Sequence, residues 1–137
     1  MPILIDGWNF IRNRNSEIRD DAGSSLDSAR ALISYMNDFQ ATHNDPVIIV
    51  FDSKHEFLGI EYKNSAKLHI TPVKDADDYI RKYIDNTSER QRKNVRVVSS
   101  DNSVYFYARS SGAAAMRSEE FWDKLYSGKE RSRDKYV

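Results

Sequence analysis

Residues Val47-Ile48-Ile49-Val50-Phe51-Asp52 carry the clearest structural signal in this chain of 137 residues. The segment is apolar without interruption up to its final aspartate, which is typical of a strand buried on both faces. Such strands occur mainly in parallel sheets that are covered by helices on both sides. The segment therefore predicts a parallel sheet within an α/β fold.

Further strands and helices are predicted on either side of this segment. Shorter apolar runs mark strands at Ile3-Leu4-Ile5, Leu68-His69-Ile70, Val95-Arg96-Val97-Val98 and Ala114–Met116. Apolar residues at helical spacing mark helices that begin near Ser25 or Asp27, at Asp75, at Asn102 or Ser103, and at Ser118. The third of these helices is expected to end by Gly112, a residue well suited to the C′ position. Strands that alternate with helices predict right-handed crossovers and a three-layer α/β/α sandwich with a mostly parallel sheet.

Length and composition indicate one domain, which we assign to residues 1–126, followed by a polar C-terminal tail at 127–137. The chain contains no cysteine, which suits a reducing compartment. Its N-terminus lacks a basic signal segment, and no apolar stretch approaches the roughly 20 residues that a membrane helix needs. We therefore expect a cytoplasmic protein with no membrane partner.

Acidic and basic residues balance, with 21 of each. The chain therefore has no overall basic field with which to hold nucleic acid nonspecifically. Basic residues cluster at positions 90–93 and 129–135, whereas several aspartates follow apolar runs. Local contacts must therefore hold any polyanionic ligand.

Aspartates follow the ends of the predicted strands. Asp6 and Asp52 come directly after the first and second apolar runs, and Asp101 comes shortly after the fourth. Asp77 and Asp78 open the helix after the third run. The carboxyl ends of parallel strands share one edge, where ligands bind in such sheets, and neighbouring strands lie about 4.8 Å apart. We therefore expect these carboxylates to converge.

Converging carboxylates repel one another unless a cation neutralises them. A hard, oxygen-seeking ion such as Mg²⁺ or Mn²⁺ takes one or two direct carboxylates, keeps several waters and bridges to a substrate phosphate. Two such ions can activate a water molecule and stabilise the leaving oxygen of an in-line displacement. The pattern therefore favours hydrolysis of phosphodiesters.

Each aspartate also has a purely structural interpretation. An aspartate after a strand is often a turn former or a helix cap, and Asp6-Gly7 by itself fits a hairpin turn. We interpret Asp75 only as a helix cap. Repetition at four strand ends exceeds what capping requires and favours a site. The three histidines show no metal-ligand spacing, and the sequence has no glycine-rich phosphate loop.

Several segments, in order along nearly the whole chain, resemble the NYN branch of the PIN-like nuclease superfamily, particularly its YacP-like members. They are Ile3-Leu4-Ile5-Asp6-Gly7-Trp8-Asn9-Phe10-Ile11, Val50-Phe51-Asp52, Ala76-Asp77-Asp78-Tyr79-Ile80, Val97-Val98-Ser99-Ser100-Asp101 and Arg117-Ser118-Glu119-Glu120-Phe121. The resemblance implies a PIN-like fold and a Mg²⁺- or Mn²⁺-dependent endoribonuclease. It also implies RNA as the partner, single-stranded RNA or mRNA, and association with ribosomes as for some members.

The resemblance also implies roles for individual residues. The catalytic and metal-binding acids would be Asp6, Asp52, Asp77 and Asp101, with assistance from Asp78. Asn9 would join the catalytic residues and position a ligand or the substrate. Ser99 and Ser100 lie where the family has a small hydroxyl residue, and Ser100 would contact the substrate. The alternative is a catalytically inactive PIN-like module that binds RNA or a protein partner.

Substrate contacts are expected from loops that rim the acidic edge. The candidates that follow the strand ends are Arg12, Arg14, Arg19, Lys54, His55 and Arg109. Each can hold a phosphate, although each is also an ordinary solvated charge. Trp8 can stack on an unpaired base or pack against a neighbouring helix.

Overall fold

The computed structural model describes residues 1–13, 16, 18, 25–52 and 67–125, with the backbone alone described at 25 and 26. The elements in chain order are β1 (Ile3–Asp6), α1 (Gly7–Ile11), α2 (Ser25–Gln40), β2 (Val47–Asp52), β3 (Leu68–Val73), α3 (Ala76–Asn86), a short 3₁₀ helix (Arg92–Asn94), β4 (Arg96–Val98), α4 (Asn102–Ser110) and β5 (Ala114–Met116). Residues 118–125 are also helical and are called α5.

The described strands form one five-stranded sheet, in the order β3-β2-β1-β4-β5, and every pairing is parallel. This confirms the predicted α/β class and parallel sheet. Strand β1 lies at the centre, with Ile3 opposite both Val47 and Arg96. The carboxyl ends of β1, β2 and β4 consequently meet at one edge.

Two apolar cores lie on opposite faces of the sheet, which confirms the three-layer arrangement. Ile3 and Ile5 belong to the core that contains α1, α2 and α5, whereas Leu4 belongs to the core that contains α3 and α4. This alternation follows from the two-residue period of a strand. The fully apolar runs of β1 and β2 are therefore explained by burial on both faces.

Short helix α1 was not predicted from the sequence. The chain passes from Asp6 directly into α1, so the hairpin-turn interpretation of Asp6-Gly7 was wrong. A Cβ atom at Gly7 would lie 2.6 Å from the Phe51 ring, a distance that forbids any side chain without movement. Gly7 therefore allows α1 to start directly against β2.

The predicted cap residues are confirmed at two helices. The carboxylate of Asp75 accepts a hydrogen bond from the Asp78 N–H at 3.2 Å at the start of α3. Gly112 follows the C-cap of α4 with φ of 95°, the left-handed conformation in which glycine is favoured.

None of the helices described here is both long and apolar enough to cross a membrane. Several sequence-based expectations lie outside the described residues: the phosphate contacts Arg14, Arg19, Lys54 and His55, and the polar tail at 127–137.

Candidate active site

An open depression of about 600 Å³ lies at the carboxyl edge of the sheet. It is lined by Asp6, Asn9, Arg12, Asn13, Ser100, Asp101 and Glu119. These residues come from the end of β1, from α1 and the residues after it, from the β4–α4 connection and from α5. The depression, called the acidic pocket below, therefore assembles segments that are far apart in sequence.

Asp6 ends the central strand, is half-buried and lines the pocket. The pKa of Asp6 is raised from 3.8 to about 6, chiefly by burial and also by the charges of Asp101 and Asp77, although the Ser99 hydroxyl lowers it. That hydroxyl donates to Asp6 Oδ2 at 3.3 Å. The raised pKa of Asp6 therefore indicates that its negative charge is disfavoured by burial and by two neighbouring acids.

Asp101 lines the same pocket and also caps α4. Its Oδ1 accepts hydrogen bonds from the backbone N–H groups of Ser103 at 2.8 Å and Val104 at 3.3 Å. Its own N–H donates to the Ser99 hydroxyl at 3.1 Å. Ser99 therefore contacts both Asp6 and Asp101, and the structural and functional interpretations of Asp101 are compatible, because capping occupies one carboxylate oxygen.

Asp52 lies on the same face of the sheet as Asp6 but further along its strand. Asp6 is opposite Val50 in the register, so Asp52 is offset by about 4.8 Å across the sheet and about 6.6 Å along it. Its backbone carbonyl accepts the indole N–H of Trp8 at 2.7 Å. Asp52 is not among the residues that line the pocket; it flanks the pocket on the β2 side.

Asp77 and Asp78 differ in their relation to the pocket. Asp77 is close enough for its charge to raise the pKa of Asp6, and its Oδ1 accepts a hydrogen bond from Arg81 Nε at 3.1 Å. Asp78 instead forms an exposed ion pair with Lys82 at 2.9 Å. The structure therefore brings Asp77 towards Asp6 and leaves Asp78 on the outer surface of α3.

Within residues 1–13, 16, 18, 25–52 and 67–125, no three acidic or histidine side chains stand close enough to hold one ion between them. Asp6 and Asp101 share the pocket, with Asp77 nearby and Asp52 offset. Mg²⁺ commonly uses one or two carboxylates and completes its shell with water and phosphate oxygens. The donor set of Asp6 and Asp101 fits that requirement.

A polar network fixes the far wall of the pocket. Asn9 Oδ1 accepts hydrogen bonds from the Ser100 N–H at 2.8 Å and the Ser118 hydroxyl at 2.9 Å. The Ser100 hydroxyl donates to Glu119 Oε2 at 2.5 Å, and Asn13 Nδ2 donates to the same oxygen at 3.1 Å. This network joins α1, the β4–α4 connection and α5.

Glu119 is a pocket acid that sequence reasoning did not select. The hydrogen bond from Ser100 is the main reason why its pKa lies below the ordinary value. An acidic residue in the first turn of a helix is common because its charge interacts favourably with the helix dipole. The sequence therefore offered no distinct signal for Glu119 beyond its place in the segment Arg117–Phe121.

The expectation that Trp8 stacks on a base is not supported, because Trp8 is part of the core. Its side chain is only 7% exposed, and its ring makes an edge contact with Phe51 at 4.9 Å between centroids. The Arg12 guanidinium lies 5.4 Å from the ring centroid. Arg12 itself lines the acidic pocket as predicted.

Arg109 does not reach the pocket. It lies in the last turn of α4, whose first turn is at the pocket, and its guanidinium donates to the Tyr105 hydroxyl at 3.3 Å. The sequence prediction of Arg109 at the rim failed because it ignored the direction of α4. Two other arginines lie nearer the acidic residues: Arg81, which bonds Asp77 and also the Ser103 hydroxyl, and Arg117, which donates to the Ser100 carbonyl at 3.1 Å.

Comparison with known proteins shows the family. The model of the YacP-like NYN domain matches residues 3–137, so the chain belongs to that family, whose domains are of the nuclease type. The crystal structure of Rae1 (YacP) from Bacillus subtilis has the same fold, with a TM-score of 0.76 and 23% identity, over 99% of this chain and 79% of that chain. A tryptophan-to-leucine mutant of Rae1 gives a TM-score of 0.72 and 22% identity, over 95% and 77% of the respective chains. No curated protein matches the chain significantly in sequence.

Proposed function

From its membership of the YacP-like NYN family and from the acidic pocket, we propose that this chain is a divalent-metal-dependent endoribonuclease that hydrolyses RNA phosphodiester bonds. The observation that carries the proposal is that Asp6 and Asp101 line one open depression together with Arg12 and two side-chain amides. Carboxylates alone repel a polyanion. Their combination with cation-binding capacity, a guanidinium and amide donors suits a bound phosphate.

In this proposal Mg²⁺ or Mn²⁺ is held by Asp6 and Asp101, with Asp77 and Asp52 as outer acids. When bound, one or two such ions supply an activated water and neutralise charge on the phosphate that is cut. Asp6 suits this role because its burial and its acidic neighbours disfavour its charge in the free protein. A cation relieves that penalty, so its binding and the ionisation of Asp6 are mutually favourable.

The remaining pocket residues act by orientation. Asn9 uses its carbonyl oxygen for Ser100 and Ser118, which leaves its Nδ2 hydrogens for a phosphate oxygen or a water molecule. Ser100 is committed to the wall through Glu119, so we assign it a positioning role. Glu119 remains ionised at neutral pH, because its pKa is lowered, and its carboxylate can order water beside the scissile phosphate.

The substrate proposed is single-stranded RNA. Since acidic and basic residues balance over the chain, only a few local cations attract the substrate, and binding of free RNA is expected to be weak. A ribosome or another RNA assembly would then supply the remaining affinity.

A cleavage assay tests the proposal. Purified protein is incubated with a mixed pool of single-stranded RNAs in millimolar Mn²⁺ or in chelator, and the products are separated by size. We expect internal cleavage with Mn²⁺ only, and loss of cleavage in Asp6→Asn and Asp101→Asn. Asp75→Asn is the matched control, because Asn caps a helix about as well as Asp. Binding of RNA without cleavage under any metal would instead favour the inactive binding module.

A further inference from the structure

Helix α4 exposes an aromatic side chain to solvent. Phe106 is 52% exposed, and in the part of the chain that the structure describes, Met1 is the only other large hydrophobic residue with comparable exposure. Its neighbours Val104 and Ala108 are buried in the core under α4, so the helix is anchored independently of Phe106. Burial in the fold therefore does not explain an aromatic residue at this position.

Two guanidinium groups lie beside Tyr105, and one of them also lies beside Phe106. The Arg117 guanidinium lies 3.7 Å from the centroid of Tyr105 and 5.4 Å from that of Phe106. Arg109 lies 5.6 Å from the Tyr105 centroid. The two rings make an edge contact at 5.3 Å. Together these four residues form a surface of aromatic and cationic groups, called the α4 platform below.

The α4 platform adjoins the acidic pocket. Arg117 Nη1 donates to the Ser100 carbonyl at 3.1 Å and to Asn102 Oδ1 at 2.8 Å, and Ser100 lines the pocket. Phe106 follows Asp101 by five residues, which corresponds to about 7.5 Å along a helix axis. If one phosphate of a nucleic acid strand occupies the pocket, a neighbouring nucleotide of the same strand therefore reaches the α4 platform.

We propose that the α4 platform binds an unpaired base of the RNA substrate, with the base stacked on Phe106 and an adjacent phosphate beside Arg117 and Arg109. The proposal rests on the proposed function, since it assumes that the strand enters the acidic pocket. Stacking on an aromatic ring is open to every base, because each has a π face, and cations beside the ring hold the backbone. A protein-binding hot spot would be expected to lie within a broader apolar patch, whereas Phe106 is bordered by the Arg117 guanidinium and by Tyr105.

This arrangement selects the strandedness of the substrate. In a duplex both faces of each base are already stacked on its neighbours, so the ring gains a partner only if the duplex is unstacked, which is unfavourable. The α4 platform therefore favours single-stranded regions near the cleaved bond and contributes little to duplex binding.

The test measures binding in chelator, where no cleavage occurs. Single-stranded RNA that carries 2-aminopurine reports stacking through fluorescence quenching. We expect Phe106→Ala to weaken binding by about 5- to 150-fold, the usual range for loss of one stacked base, and to abolish the quenching. Phe106→Trp should keep both. Phe106→Leu should behave like alanine, because it keeps an apolar side chain but loses the flat ring.

Matched controls separate stacking from charge. Arg109→Gln should reduce the slope of the salt dependence of binding by the equivalent of about one phosphate contact. Lys93→Gln, an exposed change on the 3₁₀ helix, should leave that slope unchanged. Equal binding by the native chain and Phe106→Ala, or full retention of RNA binding in Phe106→Leu, overturns the proposal, since the latter result means that no flat ring is needed. Cleavage by the native chain in Mn²⁺ is scored separately, so a failure of the nuclease proposal and a failure of the α4 platform give different results.

Discussion

Replacing Asp6 with asparagine isolates the cost of a buried carboxylate at the end of β1. The pKa of Asp6 is about 6 in the folded protein against an ordinary value of 3.8, chiefly because of burial. Each pKa unit corresponds to about 1.36 kcal/mol, so ionised Asp6 lowers the free energy of unfolding by about 3 kcal/mol. Asparagine has nearly the same shape, and its carbonyl oxygen can still accept the Ser99 hydroxyl.

The pH dependence follows from the two pKa values. Below 3.8 the carboxyl group is protonated in both the folded and the unfolded chain and carries no penalty. Between 3.8 and about 6 the folded state binds more protons, so the free energy of unfolding decreases as the pH rises. Above about pH 6 the penalty is complete. Without metal, Asp6→Asn should therefore exceed the native chain in stability by about 3 kcal/mol near pH 7 and match it near pH 3.

Urea denaturation in chelator, followed by tryptophan fluorescence at several pH values, measures this difference directly. Other groups that titrate alike in both proteins cancel from the difference. Asp75→Asn serves as the matched control and should show no such trend. A constant difference between native and Asp6→Asn proteins across the pH range, or a less stable Asp6→Asn at neutral pH, would refute the argument that burial disfavours the carboxylate.

Three further outcomes are expected. Millimolar Mg²⁺ or Mn²⁺ should raise the melting temperature of the native chain, because the ion relieves carboxylate repulsion in the folded state. The increase should be smaller for Asp6→Asn. Identical melting curves of the native chain in metal and in chelator would contradict the metal site. Binding of single-stranded RNA by Asp101→Asn should show a shallow salt dependence, with about two to four released counterions at about 0.7 per phosphate contact. Nanomolar affinity with a steep slope would contradict the expectation that only a few local cations hold the RNA. Gly7→Ala should lower the free energy of unfolding by about 1–3 kcal/mol, because a methyl group there meets the Phe51 ring. Urea denaturation measures this change, and an unchanged midpoint would show that the ring moves aside.

The sheet was predictable from sequence because its signals are local. The continuous apolar run Val47–Phe51 predicts burial on both faces, and the structure places it beside the central strand. Asp75 and Gly112 were predicted as a cap and a C-terminal glycine because their roles depend on the few residues around them. Helix α1 was missed because five residues are too few to show a helical period.

The pocket was only partly predictable, since its membership depends on tertiary contacts. Asp6 and Asp101 follow from the rule that strand ends meet at one edge, and both line the pocket. Glu119 was missed because only its tertiary contacts with Ser100 and Asn13 distinguish it from an ordinary first-turn acid. The base-stacking role suggested for Trp8 was wrong, because the packing of its ring against Phe51 cannot be seen in the sequence.

The position of β1 at the centre of the sheet has a consequence for how the chain folds. Its two neighbours begin at Val47 and Arg96, so β1 acquires its second partner only after synthesis has passed β4. Contacts between such distant segments carry a loop-closure cost and slow the folding of the domain. Until β4 arrives, one edge of an apolar β1 is unpaired, and exposed edges of this kind promote aggregation. Fragments that end before β4 should therefore be insoluble and lack Asp101 of the pocket, and recovery of the complete pocket during refolding should coincide with the last step of sheet assembly.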